Sequence, residues 1–260
     1  MKTIFLFVFG ILFFDCVKHD SDSNSELVLP TSSLDLTNWK LTLPFDKEDK
    51  DGPESGVAAE ISQPALADYS NSPYYFYDKT KSGLVFRAHA GGAHTSGSGY
   101  PRSELREMTN EGKSQAKWNS EIGKHSMEID QAITALPTQK KHVVAGQIHS
   151  TGDFDDVITC RLETNKLFLS HNGKKATILT ESYTLGTRFK IRFEVEKNQI
   201  KTFYNDSKQP VEIYDIAFPD AYFKAGCYTQ SASWGKNDNH NADPKEFGEV
   251  IIFGLKVNHE

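Results

Sequence analysis

Residues 189–204 read Phe-Lys-Ile-Arg-Phe-Glu-Val-Glu, then Lys-Asn, then Gln-Ile-Lys-Thr-Phe-Tyr. Phe189, Ile191, Phe193 and Val195 alternate with Lys190, Arg192, Glu194 and Glu196. Successive strand side chains point to opposite faces, so this pattern predicts a strand with one buried and one wet face. Lys197-Asn198 turns the chain into a second strand over 199–204. Working outward, 166–170 and 176–179 flank Asn172-Gly173, a pair that tolerates the positive φ of a tight hairpin turn. Segments 125–134, 141–150, 156–163 and 249–257 are further short strand-like runs. No stretch after Leu27 keeps apolar residues at three-and-four spacing over ten residues, so long helices are not expected. The class is therefore all-β, an antiparallel β-sandwich or jelly roll.

With 260 residues and 38% hydrophobic content, the chain can bury a substantial core. It shows no Pro/Ser-rich break or internal repeat after the leader, so residues 26–260 read as one domain. The net charge of -6 speaks against a nucleic-acid partner, whose footprint would be basic. Any anion site must be a local cluster of Arg and Lys. Three cysteines without a CxxC pair exclude a disulfide-dense scaffold and a zinc ribbon. No compact His/Asp/Glu spacing demands a metal. The segments 89–101 and 231–247 are long, polar connections, the latter containing Asn239-His240-Asn241; they read as binding loops or plain surface loops.

Met1-Lys2 precedes an uncharged run over residues 3–14, TIFLFVFGILFF, and a polar linker follows Cys16. A positive start and a short apolar centre read as a secretory signal, too short for a membrane span. Residues 1–25 are thus a leader and linker, and the chain is expected to be exported. Cys16 directly after the apolar run suits a bacterial lipoprotein anchor, whereas Phe14-Asp15 occupy positions where small residues are usual. Acylation at Cys16 and simple secretion both stay open, so the product is secreted, periplasmic or surface-anchored.

Three segments put polar groups on one strand face. In 102–107 (RSELRE), Arg102, Glu104 and Arg106 share a face; two guanidiniums around a carboxylate form a fork suited to carboxylate ligands. In 145–150 (AGQIHS), Gln147 and His149 face away from Ile148. In 222–230 (YFKAGCYTQ), Tyr222, Lys224, Gly226, Tyr228 and Gln230 oppose Phe223, Ala225, Cys227 and Thr229. Taken singly, each is as compatible with a solvated charge ladder, a satisfied histidine or a half-buried tyrosine. If the three strands adjoin, they build a groove for an extended carboxylate-bearing polymer, with His149 and Tyr228 able to move protons.

RSELRE, QIH and YFKAGCYTQ, in this order and preceded by SGSGYP, resemble the three motifs of polysaccharide lyase family 7, the alginate lyases. The resemblance spans essentially the exported domain. It implies a jelly roll whose concave sheet binds alginate, and metal-independent β-elimination leaving an unsaturated uronate, with no cofactor. Arg102 and Gln147 would hold the carboxylate of the reacting sugar. His149 would be the base for guluronate, and Tyr228 would protonate the departing O4 and could take the C5 proton of mannuronate. Arg106, Lys224 and Gln230 would line neighbouring subsites, and Glu104, grouped with them, would orient the arginines. Ile148 is associated in the family with guluronate-containing linkages. Thr229 and Cys227 depart from the usual third motif, on the face turned from the groove.

A Cys160–Cys227 disulfide and two buried free thiols are both compatible with the sequence. Glu128-Ile-Asp130 begins the carboxylate pattern of a family-16-like glycoside hydrolase, but Ile133 stands where the acid is needed, and half a pair cannot hydrolyse. A non-catalytic alginate-binding module would not need both His149 and Tyr228. A lyase for another polyuronate, such as glucuronan, would use the same carboxylate chemistry. A monomer is expected.

Overall fold

Alternation of this kind folds into two antiparallel sheets. The computed structural model describes residues 34–48, 57–151, 155–239 and 241–260. The leader, Cys16, the proposed domain start at residue 26 and His240 lie outside the described residues.

The strands are β1 (Trp39–Asp46), β2 (Ala58–Ile61), β3 (Tyr75–Asp78), β4 (Gly83–His89), β5 (Arg102–Thr109) and β6 (Ser114–Gln115). They continue with β7 (Lys124–Ala135), β8 (His142–His149), β9 (Asp156–Glu163), β10 (Lys166–His171) and β11 (Lys174–Thr180). The last are β12 (Arg188–Glu196), β13 (Gln199–Tyr204), β14 (Glu212–Asp215), β15 (Tyr222–Thr229) and β16 (Phe247–His259). One sheet runs β11-β10-β9-β8-β15-β5-β1-β2, with β6 on β5; the other runs β14-β13-β12-β7-β16-β4-β3. Among the described residues the only helical pieces are short 3-10 turns, Ala65–Asp68 and Gly235–Asn237. The fold is the expected β-sandwich jelly roll.

Phe189, Ile191, Phe193 and Val195 are buried, and their polar neighbours face outward, as the alternation requires. Both short turns take the left-handed backbone that joins twisted antiparallel strands: Asn172 and Gly173 at φ 44° and 73°, Lys197 and Asn198 at 52° and 60°. The three polar-faced segments are neighbours, β8-β15-β5, in the middle of one sheet. Their registers set Tyr222 opposite His149, Lys224 opposite both Gln147 and Arg106, and Tyr228 opposite Arg102.

A bulge makes this possible on β8. Val143 and Ala145 point into the core, and simple alternation would send Gln147 and His149 after them. The pairing of β8 with β9 shifts between Val144 and Gln147, and Gly146 sits at φ 150°. A Cβ there would lie 2.7 Å from Ile129 Cδ1, so position 146 also faces inward. The extra residue reverses the parity: Ile148 becomes core and Gln147 and His149 turn outward.

Behind β5, the buried Glu107 ties the layers together. It accepts from Trp118 Nε1 (3.0 Å), the Phe223 amide (2.8 Å) and His259 Nε2 (2.5 Å). His259 Nδ1 meets His125 Nδ1 at 2.7 Å, and His125 Nε2 lies 2.8 Å from the Ile122 carbonyl. Anchoring the amide of Phe223 fixes where β15 begins, and with it the placement of Tyr222 and Lys224.

Two sequence alternatives are resolved. Cys160 and Cys227 are both free, buried thiols. They sit on β9 and β15 with β8 between them, two strand spacings apart. That is roughly 10 Å, beyond the ~7 Å Cα reach of a disulfide, so the bridge held open from sequence is not formed. Glu128 and Asp130 lie on β7, in the sheet opposite the polar groove, and pair with Arg192 and Arg188. No hydrolase carboxylate pair arises there.

Candidate active site

Glu104 is the point from which the site is built. Its side chain is fully buried, and three donors converge on it: Arg102 Nη1 at 2.8 Å, Lys224 Nζ at 2.6 Å and Gln147 Nε2 at 2.7 Å. Each comes from a different strand of the β8-β15-β5 trio. Burial would raise the carboxyl's pKa, but Lys224 and Arg102 outweigh it and hold Glu104 below the usual carboxylate range. Glu104 therefore lies beneath the groove floor and aligns Arg102, Lys224 and Gln147. This corrects its grouping with substrate-contacting residues, since a fully buried carboxylate has no surface to offer. It also corrects its expected partner: it orients Arg102, whereas Arg106 reaches Gln115 Oε1 at 3.2 Å and stacks on Tyr222 at 3.9 Å.

Arg102, Arg106, Gln147, His149, Lys224 and Tyr228 line one cavity of about 310 Å³, alongside Lys40, Thr42, Ser98, Asp156 and Tyr222. A second cavity of about 270 Å³ holds Gln230, Arg161, Lys236 and Asn237. The two share Gly97, Ser98, Gln147, Asp156 and Tyr228, so they form consecutive stretches of one groove. Gln230 thus joins the groove, in its second half. Arg102 Nε and Gln230 Nε2 are buried without a partner among the described residues, leaving donors for a ligand. A larger, mainly apolar cavity of about 610 Å³ lies beside Leu36, Leu66 and Tyr77, and lacks such a convergence of cations.

The candidate proton-handling groups differ in environment. His149 Nδ1 is 2.8 Å from the Ser150 carbonyl, which can only accept. Nδ1 therefore carries the hydrogen, and Nε2 is the lone-pair nitrogen of the neutral ring. Burial, followed by repulsion from Lys224, lowers the His149 pKa to about 4, so the ring is neutral near pH 7. Its ring stacks on Tyr222 at 5.0 Å. Lys224 is pushed down to about 8, by burial first and then by Arg102, although Glu104 opposes the shift. Tyr228 has the Arg102 guanidinium 3.7 Å above its ring and Ser98 Oγ 2.9 Å from its hydroxyl. Asp156 is raised by burial and then by Asp155. Among the described residues no three His, Cys, Asp or Glu side chains converge to hold a metal.

Sequence reasoning missed Lys40, Thr42, Ser98, Asp156, Arg161 and a role for Tyr222 beyond its shared face. Lys40 and Thr42 pair with Arg106 and Glu104 across β1–β5, and the alternation in Trp39-Lys-Leu-Thr-Leu43 was a usable signal. Arg161 and Thr159 flank Cys160 and share a face in the same manner. Ser98 shows no alternation because it arrives on a loop, and its sequence signal was the SGSGYP stretch within the long 89–101 connection.

The chain matches the family described as alginate lyase over residues 34–259. The alginate lyase AlgAT5 from polysaccharide lyase family 7 is 43% identical, with a TM-score of 0.80, covering 90% of this chain and 99% of that one. An alginate lyase from Corynebacterium sp. is 38% identical with a TM-score of 0.77, over 87% of this chain and 96% of that one. A curated alginate lyase of Klebsiella pneumoniae is 23% identical over 91% of this chain and 93% of its own length.

Proposed function

This chain belongs to the alginate lyases of polysaccharide lyase family 7, and from that premise we propose that it cleaves the 1,4-linkage of alginate by metal-independent β-elimination. The observation that carries this reading is the buried Glu104 node, which aims Arg102, Gln147 and Lys224 at one cavity that also holds neutral His149 and Tyr228. Arg102 and Gln147 neutralise the uronate carboxylate, which lowers the cost of removing the neighbouring C5 proton. His149 Nε2 takes that proton from guluronate. As the C4–O4 bond breaks, Tyr228 gives its phenolic proton to O4, and the electron pair from C5–H becomes the C4=C5 double bond. For mannuronate, Tyr228 takes the C5 proton and passes that same proton to O4, so the proton that leaves C5 is the one O4 gains. Arg106, Lys224 and Gln230 hold neighbouring residues of the polyanion.

Guluronate-containing linkages are the preferred substrate in this proposal, supported by Ile148 behind the His149 strand. The methyl involved faces the core, so the preference acts through packing and is modest. The cations of the groove supply the charge neutralisation that a metal would otherwise give, and one chain supplies the whole constellation, so a monomer suffices. The leader-like start supports export toward such a polymer.

The test is ultraviolet absorbance of unsaturated uronate on polyguluronate, polymannuronate, mixed alginate and glucuronan, each with a chelator. Chelator-resistant growth on alginate, fastest with guluronate blocks and abolished in folded Tyr228→Phe and His149→Ala, is expected. Product from glucuronan alone would reassign the substrate, and loss of all activity in chelator would remove metal independence.

A further inference from the structure

Ser98 stands where the two long loops meet the groove, and nothing in the mechanism above uses it. Its Oγ accepts the Tyr100 amide at 3.1 Å, lies 2.9 Å from Tyr228 Oη, and is 3.3 Å from the Tyr100 carbonyl. The loop is held in place from the other side. Trp234 Nε1 donates to the Gly92 carbonyl at 3.0 Å while its ring stacks on His94 at 4.2 Å. Lys236 Nζ reaches the Gly97 carbonyl at 3.4 Å. Gly99 packs so closely on this second loop that a Cβ would lie 2.4 Å from Asn237 Nδ2. Ser98 is half-buried and lines both stretches of the groove.

We propose that Ser98 is the positioning and proton-relay residue for Tyr228. A serine hydroxyl has one hydrogen and two lone pairs, and the Tyr100 amide occupies one lone pair. Two arrangements remain. In the first, Ser98 donates to Tyr228 Oη, and the phenolic hydrogen is free to point at the leaving O4. In the second, Tyr228 donates to Ser98 Oγ and Ser98 donates to the Tyr100 carbonyl, so the phenolic lone pairs face the groove. Rotating two hydroxyls interconverts them without moving a heavy atom. The same pair reprotonates Tyr228 after turnover. The Oγ–H bond of Ser98 breaks as an O–H bond forms at the Tyr228 phenolate, and Oγ takes a proton from water. The proton held by His149 returns to the hydroxide left behind, so the cycle closes.

This inference rests on the alginate lyase reading with Tyr228 as proton donor, and the test separates the two. Ser98→Thr and Ser98→Val are nearly isosteric and differ by the hydroxyl, so they are compared with wild type, Ser98→Ala, Ser96→Ala and Tyr228→Phe on the preferred alginate block. Ser98→Ala and Ser98→Val are expected to lose about 10- to 100-fold in kcat, below the full value of a general acid, with KM nearly unchanged. Ser98→Thr should recover most of the rate, and Ser96→Ala, on the exposed part of the loop, should match wild type. A proton inventory in mixed H2O and D2O should be curved in wild type and linear in Ser98→Val, a readout that a purely structural role would not move. Equal kcat for Ser98→Thr and Ser98→Val, or the same curvature in wild type and Ser98→Val, overturns the relay. An active Tyr228→Phe overturns the reading beneath it.

Discussion

Replacing Glu104 by Gln removes a negative charge from a position where every neighbour is a donor. Arg102 Nη1, Lys224 Nζ and Gln147 Nε2 all point at the carboxylate. A glutamine carries one acceptor oxygen and one amino group, so either orientation aims an N–H at another donor. The site is fully buried, so water cannot repair the mismatch. Breaking a buried ion pair by removing one partner costs about 3–5 kcal/mol. Two cations share this one carboxylate, which places Glu104→Gln toward the upper end, at about 4–5 kcal/mol. At roughly 2–4 °C per kcal/mol for a domain of this size, Tm should fall by about 8–20 °C. Turnover should fall as well, because Arg102, Gln147 and Lys224 lose their common reference point. The stability deficit should be larger at pH 6 than at pH 9, since discharging Lys224 relieves its repulsion with Arg102. Thermal unfolding at both pH values and the uronate absorbance assay measure these effects. A variant that melts within about 2 °C of wild type, under ~1 kcal/mol, and keeps wild-type turnover would refute the role of Glu104 as organiser.

Because His149 is lowered to about 4, the acid limb of kcat/KM on guluronate blocks is expected near pH 4; a limb at the ordinary histidine value would place the base in a different environment. The unfolded ring titrates near ~6.5 and binds more protons than the folded one between those values, so this group's stabilisation is lost as pH falls from 6.5 to 4 and is level below. Lys224, lowered to about 8, loses its charge in the folded enzyme as pH rises through 8. KM for alginate should therefore climb several-fold between pH 7 and 9, and Lys224→Gln should abolish that slope; a flat KM in wild type contradicts the assignment. In the same range the fold gains stability from this residue, because the unfolded lysine still binds its proton up to about 10.4. Burial pushes the Cys160 thiol up to about 12 and raises Cys227 as well. Both should resist thiol reagents in the native protein and react after denaturation, and reductant should leave Tm unchanged; a reductant-sensitive Tm would point to a disulfide.

Much of the fold and half of the site were legible from spacing alone. Period-two alternation specified which side of each strand is apolar, so Phe189 to Val195, the Asn172-Gly173 turn and the outward sets on β5 and β15 are legible in the amino-acid sequence itself. Burial is a one-dimensional property along a strand, and the hydrophobic effect enforces it wherever one face meets the core. Composition likewise indicated that any anion site had to be a local cluster within an acidic chain. The tertiary structure decided what depends on several segments at once. It made β8, β15 and β5 neighbours, which turned three separate polar faces into one groove. It placed Glu104 under the floor, because only the convergence of Arg102, Lys224 and Gln147 makes burying a carboxylate tolerable. It used an extra residue at Gly146 to bring Gln147 and His149 to the outer face. It separated Cys160 from Cys227 by a whole strand, and brought Ser98 to Tyr228 across 130 residues. Local pattern sets which way a side chain points, whereas charge neutralisation and proton transfer need partners within about 3 Å, and only the folded chain brings distant residues that close.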